Sequence, residues 1–269
     1  MLIDPMTLCG EQTAQPGTLY VVATPLGNLG DVTLRAIRIL ETCDMIACET
    51  PRITQRLLSA LDIQKKHLFT YRDAGETKSA QHLIDALKNK RSVALVSDAG
   101  TPTISDPGYH LVKQCREEQI PVIPIPGTNA ALAALSVSGF PTHAFVFLGF
   151  LPVKSGARKR LLETYKTFDG SIIFYESPYR IRKTIAALKE IFKPERSVFV
   201  TRELTKLNET FYRRKLLELD ENSLPEKGEY TIVIAPKITD HHLQPSKAYP
   251  LQNNRKQSKN RKTIVLGTK

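Results

Sequence analysis

Short apolar runs and amphipathic stretches alternate along the first half of the chain. The runs LYVVAT (19–24), DMIACE (44–49), HLFTY (67–71), SVALVS (92–97), PVIPI (121–125) and AFVFLG (144–149) have strand length. Between them, 32–40, 52–61, 78–87, 108–117 and 129–138 carry apolar residues three and four apart, as one face of a helix does. This alternation predicts βαβ units and a largely parallel sheet. Runs that are apolar at every position, VALV above all, fit strands covered by helices on both faces.

The segment GFLPVKSGARKR (149–160), rich in Gly, Pro and Lys/Arg, breaks the pattern and reads as a hinge. Beyond it the pattern predicts a helix at 158–168, a strand SIIFYE (171–176), a helix at 179–191 and a strand SVFVTRE (197–203). A hairpin region at 208–219 and a last strand EYTIVIA (229–235) follow. The expected fold class is α/β, with an N-terminal domain over 17–148 and a C-terminal α/β domain over 149–237. Residues 1–16 read as a flexible extension. Residues 238–269 are polar, basic and without a packable face, and are expected to be disordered.

Composition changes this picture little. The 269 residues are 41% hydrophobic and 24% charged, which is ordinary for a globular chain. Of the formal +11, the last 33 residues hold +7, from eight Lys/Arg against one acid, so the globular part is only mildly basic. Cys9, Cys43, Cys48 and Cys115 are scattered and make no C-x-x-C pair, as in a reduced cytosolic protein. The six histidines form no ligand cluster, so no metal site is expected. The N-terminus has neither the basic start nor the apolar core of a signal peptide, and the most apolar stretch, 130–151, is interrupted by Gly139, Pro141 and His143. The expected location is the cytoplasm.

Three loops follow predicted parallel strands. TPLGNLGD (24–31) is a glycine-containing turn before a helix, although it matches neither the dinucleotide fingerprint nor a P-loop. Its plainer reading is a tight turn with Asp31 capping the helix. DAGTPTISDPGY (98–109) is much longer than the about 2–6 residues a βα connection needs. Asp106 there reads as a helix N-cap with Pro107 at the first helical position, while the SDAGTP half is free for a ligand. PIPGTNA (124–130) places small residues before a helix N-terminus, exposing N–H groups to a polar ligand atom.

The motifs PLGNLGD, VSDAGTPTISDPGY, PGTNA, GFLPVK, FYESPYR, TRELTK and KGEYTIVI occur in this order over 17–237. In this set the chain resembles the tetrapyrrole-methylase superfamily. Within it the chain resembles the family of small-subunit ribosomal RNA (cytidine-2′-O-)-methyltransferases, over about four fifths of its length. The resemblance implies two α/β domains with S-adenosyl-L-methionine in the interdomain cleft, and a homodimer. It implies a cofactor site made by Pro25, Leu26 and Gly27, by Asp98, Ala99, Gly100, Thr101 and Ile104, and by Gly127, Thr128, Asn129 and Ala130. Tyr175 and Glu229 would close it. The chain also departs from the family. Glu49-Thr50-Pro51-Arg52-Ile53-Thr54 stands where E-D-T-R-H-T is usual, and Tyr71-Arg72-Asp73-Ala74-Gly75-Glu76 replaces a His- and Asn-rich stretch ending in Glu. Thr128-Asn129 replaces smaller residues. The first two departures lie at strand ends where substrate would approach, and bear on the RNA target or catalysis rather than on the cofactor.

Methyl transfer to a ribose hydroxyl needs positioning and a proton acceptor. Carboxylates at the sheet edge are Asp31, Glu49 and Asp98. Glu49 is the first choice, beside Arg52, which could hold a phosphate; a purely structural Glu–Arg pair is the alternative. Lys154, Arg158 and Arg160 after the hinge, and Arg180 and Arg182 after FYES, are further candidate phosphate contacts, each of which could equally be a solvated face. Three functions fit: a small-subunit RNA ribose methyltransferase, a tetrapyrrole methylase, and a non-catalytic RNA-binding assembly factor. The basic clusters and the GFLP and FYES-P-x-R signatures favour the first.

Overall fold

Alternate residues of the first strands go to opposite faces, and each face finds its own helices. In the computed structural model, which describes residues 13–64, 66–72 and 76–237 (76–78 by backbone only), β1 (Leu19–Val22), β2 (Met45–Cys48), β3 (His67–Thr70), β4 (Val93–Val96) and β5 (Val122–Ile125) form one sheet in the order β3-β2-β4-β1-β5. Every pairing in it is parallel. Leu19, Met45, Ala47, Val93 and Leu95 pack with Leu83, Leu87, Leu111 and Cys115 of α3 (Glu76–Lys88) and α4 (Tyr109–Glu117). Tyr20, Val22, Ile46, Cys48, Ala94 and Val96 face Ile39, Leu40 and Leu58 of α1 (Leu34–Thr42) and α2 (Pro51–Ala60). Two covered faces explain why the central strands β2 and β4 are buried at every residue.

The second sheet runs β6-β7-β10-β8-β9, built from β6 (Phe145–Phe150), β7 (Ser171–Glu176), β8 (Ser197–Arg202), β9 (Thr210–Lys215) and β10 (Tyr230–Ile234). Only β6 and β7 are parallel; the other pairings are antiparallel. One face packs on α6 (Ser155–Thr164) and α7 (Ile181–Ile191) through Leu162, Ile185 and Leu188. The other face receives α5 (Ala130–Ser138), whose Ala131, Ala134 and Leu135 meet Ile173, Phe199 and Val233. Both sheets belong to one compact unit that runs to Lys237.

The structure differs from the sequence reading at several joints. The apolar run 144–149 does not extend the first sheet: it pairs with β7. α5 likewise follows a strand of the first sheet but packs on the second through Ala131, Ala134 and Leu135, leaving Leu132, Ser136 and Val137 exposed; apolar all round, AALAALSVS offers no face from which the sheet it packs on could be read. The second layer therefore begins before the hinge at 149. Asp31 does not cap α1; it ends a short 3-10 turn, Leu29–Asp31, and Thr33 caps the helix by accepting the Ala36 N–H. Asp106 and Pro107 do not start α4 either, since Gly108, at φ +134°, is its N-cap. The extension, as far as residue 12, the departure at 73–75 and the basic tail at 238–269 lie outside the described residues.

Candidate functional site

Because β4, β1 and β5 are neighbours, the loops after them lie side by side at the carboxyl edge of the first sheet, where open parallel sheets hold ligands. The three loops are tied together. Thr24 and Gly100 exchange two backbone hydrogen bonds of 2.9 Å each. The Thr128 hydroxyl donates to the Thr24 carbonyl, and Thr101 Oγ1 donates to the Thr128 carbonyl at 2.7 Å. Gly100, at φ +82°, provides the left-handed residue this crossing requires, and Thr103 and Ser105 also sit at positive φ. Non-glycine residues pay about 1–2 kcal/mol each in that region, a cost typical of binding loops held by their surroundings.

Above this edge is a cavity of about 380 Å³, within the roughly 300–1,000 Å³ of small-molecule sites. Of the fourteen residues expected to hold a cofactor, ten line it: Leu26, Asp98, Ala99, Gly100, Thr101, Ile104, Asn129, Ala130, Tyr175 and Glu229. Pro25, Gly27, Gly127 and Thr128 do not. Gly127 is spent on packing, since a β-carbon there would collide with that of Ala23. Thr128 is part of the loop tie. Gly27 lies under the stem of Lys206, whose ammonium reaches Glu203 (3.1 Å) and Glu229 (2.8 Å). Partial burial opposes the charge of Lys206, but hydrogen bonds to the two carboxylates win and raise its pKa; against the same opposition the Glu203 carboxyl is held below its usual range. Lys206 thereby connects a loop of the first sheet to a wall of the cavity made by the second.

The N–H groups of α5 are less available than its position suggests. Asn129 Oδ1 accepts from Leu132, and the Tyr175 hydroxyl accepts from Ala131 at 3.3 Å. Tyr175 stacks edge-on against Phe147 and Phe150, and burial pushes its phenol pKa up. Sequence reasoning missed Ser105, Asp106, Phe150, Glu176, Ser177, Pro178, Tyr230 and Thr231 as lining residues. Their signal was adjacency, because each sits in or beside DAGTPTISDPGY, GFLP, FYESP or GEYT.

The other candidates divide. Glu49 and Asp31 line neither this cavity nor the second one beside it. Three of the expected phosphate contacts are corrected. Arg158 points inward one turn before the fully buried Leu162 and is only 5% exposed, so it offers no surface cation. Arg180 donates to the Leu151 and Pro152 carbonyls and pairs with Glu176, whose side chain is fully buried. Glu176 also accepts from Ser177 N and Thr184 Oγ1, so FYES-P-x-R and GFLP are two halves of one internal clamp. Arg182 is committed to Glu226 and to the Asn222 and Leu224 carbonyls. Arg52, Lys154 and Arg160 remain exposed, with no ionic partner among the described residues.

The tetrapyrrole (corrin/porphyrin) methylases match this chain over residues 18–220. Ribosomal RNA small subunit methyltransferase I of Vibrio cholerae is 48% identical over 221 residues, covering 80% of this chain and 76% of that protein. Its namesakes from Halalkalibacterium halodurans (46%, 83% of this chain, 78% of the relative) and Leptospira biflexa (43%, 82% and 91%) are similarly close. Solved structures share the fold at low identity. The methyltransferase CobJ has a TM-score of 0.63 at 18% identity, over 82% of this chain and 94% of that one. Uroporphyrin-III C-methyl transferase from Thermus thermophilus, complexed with S-adenyl homocysteine, has 0.59 at 17%, over 81% and 97%. On its two sheets, its motif order and these relatives, the chain belongs to the tetrapyrrole methylases and, among them, to the family named ribosomal RNA small subunit methyltransferase I.

Proposed function

We propose that the protein uses S-adenosyl-L-methionine to methylate the ribose 2′-hydroxyl of a cytidine in small-subunit ribosomal RNA, in the cytoplasm. The observation that carries this reading is the identity of 43–48% over four fifths of the chain to proteins of that name. The residues of the first cavity fit the cofactor. Leu26, Ile104 and Phe150 offer apolar walls, Gly100 bares its backbone, and the lining includes carboxylates but no Lys or Arg among the described residues. With Glu176 and Glu229 already paired with Arg180 and Lys206, this wall carries no excess positive charge to repel a sulfonium or ammonium group. When bound, the cofactor supplies an electrophilic methyl group. The chain's own work is to hold the acceptor in line with it, exclude water and take up a proton, of which positioning alone can supply up to roughly 7–11 kcal/mol.

The likeness to corrin and porphyrin methylases of known structure is one of fold, at 15–21% identity. We further propose two domains meeting at the cavity and a homodimer; sedimentation velocity at micromolar concentration is expected to give twice the chain mass. The central test is radiolabelled methyl transfer to purified small ribosomal subunits, with naked RNA and a tetrapyrrole precursor in parallel. Label is expected in the ribose of the RNA, most efficiently in assembled subunits. Label in the tetrapyrrole alone, or on a base, overturns the proposal.

A further inference from the structure

A second cavity, of about 410 Å³, lies between the loop after β1 and helix α2. Leu26 and Asp98 line both cavities, so the two spaces adjoin at these residues. The second has an apolar wall made by Pro25, Leu29, Ile53 and Leu57. Its polar lining includes Thr24, Thr54 and Ser97, all buried. Arg56 stands at its edge and Arg52 one turn earlier on the same helix; both are exposed, and neither has an acidic partner among the described residues. Like charges four apart on a helix repel each other, a cost that a bound anion removes.

Asp98 is held at the boundary in a defined pose. Its Oδ1 accepts the Thr50 N–H at 3.1 Å, at the start of α2, where Thr50 makes no side-chain cap of its own. Its other oxygen has no partner among the described residues. Asp98 thus belongs to the lining of both the space of a methyl donor and the space next to it, with one carboxylate oxygen fixed on the start of α2.

From this juxtaposition we infer that the second cavity receives the acceptor nucleoside, and that Asp98, in place of Glu49, is the catalytic residue that accepts the hydroxyl proton. This rests on the RNA-methyltransferase reading. The base lies against Leu29, Ile53 and Leu57, as unstacked bases lie on apolar side chains, and Arg52 and Arg56 take the flanking phosphates. The ribose oxygen forms its bond to the methyl carbon while the methyl–sulfur bond breaks with its electron pair going to sulfur. The hydroxyl proton passes to the Asp98 carboxylate and then to water. Ile53 also gives the departure from the family at 50–53 a place: it puts an apolar residue in the acceptor wall where His is usual.

The test uses the full chain and variants that spare the core. Ile53 and Ala60 both line the cavity from exposed positions of α2, so Ile53→Trp and Ala60→Trp fill it without disturbing the packed face. Both are expected to bind S-adenosyl-L-methionine within threefold of wild type by calorimetry, to bind purified small subunits at least tenfold more weakly by co-sedimentation, and to lose methyl transfer. Asp98→Asn keeps the acceptor for Thr50 N–H. It is expected to bind subunits within threefold, while kcat measured at saturating cofactor falls about 10²–10³-fold. Wild-type subunit binding and transfer by both filled variants overturns the cavity assignment. A kcat within threefold of wild type in Asp98→Asn at saturating cofactor overturns the role of Asp98. Absence of transfer by the wild-type chain itself brings down the RNA reading, and this inference with it, which separates the two failures.

Discussion

At the scale of single residues, the chemistry of the site depends on backbone that few side chains tolerate. Gly100 sits at φ +82° in a backbone pair with Thr24, and a β-carbon there would come within 3.2 Å of Leu26. Gly100→Val adds a branched side chain at a left-handed position and pushes it toward the cavity. The variant is expected to fold with a lowered Tm and to show no calorimetric affinity for S-adenosyl-L-methionine. Affinity like that of wild type in folded Gly100→Val would remove the loop at 98–104 from the cofactor site. This glycine was legible from sequence, since a Gly-Pro-Asp loop far longer than a βα turn needs a ligand to justify it. The fate of the arginines was not. Nothing in the spacing of Arg158, Arg160, Arg180 and Arg182 says that two are clamped by carbonyls and carboxylates, one is buried and one is exposed.

At the scale of elements, the two halves of the fold were legible to different degrees. Strict alternation of buried residues between two helical layers makes β1, β2 and β4 readable as a parallel core. The run 144–149 and helix α5 carry no such label: an apolar strand and an apolar helix announce burial but not the sheet they bury against. The connection they make depends on the clamp below it. Glu176, at the end of β7, joins Thr184 and Arg180 of the following helix region, and Arg180 in turn holds the carbonyls after β6. Glu176→Gln keeps the shape but removes the charge that Arg180 answers. The arginine retains a fifth of its side chain in water, so the loss is expected to be about 2–3 kcal/mol, below that of a fully buried pair. In a chain of this size that lowers Tm by roughly 5–10 °C. The cavity residues Ser177 and Pro178 shift with the clamp, so cofactor affinity is expected to weaken in the same variant. An unchanged Tm in Glu176→Gln would show that Arg180 is held by the Leu151 and Pro152 carbonyls alone.

At the scale of the whole molecule, charge separates into parts with different work. The net +11 is dominated by the +7 of the last 33 residues, while Arg52, Arg56, Lys154 and Arg160 are exposed cations with no acidic partner among the described residues. Lys159 is paired with Glu190 and Arg158 is buried, which leaves Lys154 and Arg160 as the exposed cations of helix α6 and its entry that have no ionic partner among the described residues. Held on a short helix and its entry, they are suited to phosphate contacts that orient RNA without reading its sequence. Each phosphate neutralised on a single strand contributes about 0.7 to the slope of log affinity against log salt. The double variant Lys154→Ala/Arg160→Ala is therefore expected to bind small subunits more weakly and with a slope flattened by up to about 1.4, while its affinity for S-adenosyl-L-methionine stays as in wild type. The last 33 residues carry +7 of their own, so the comparison is made both in the full chain and in one ending at Lys237. If the double variant keeps the wild-type slope in both backgrounds, the RNA approaches from the side of Arg52 and Arg56 alone, and the segment after β6 serves only to join the two sheets.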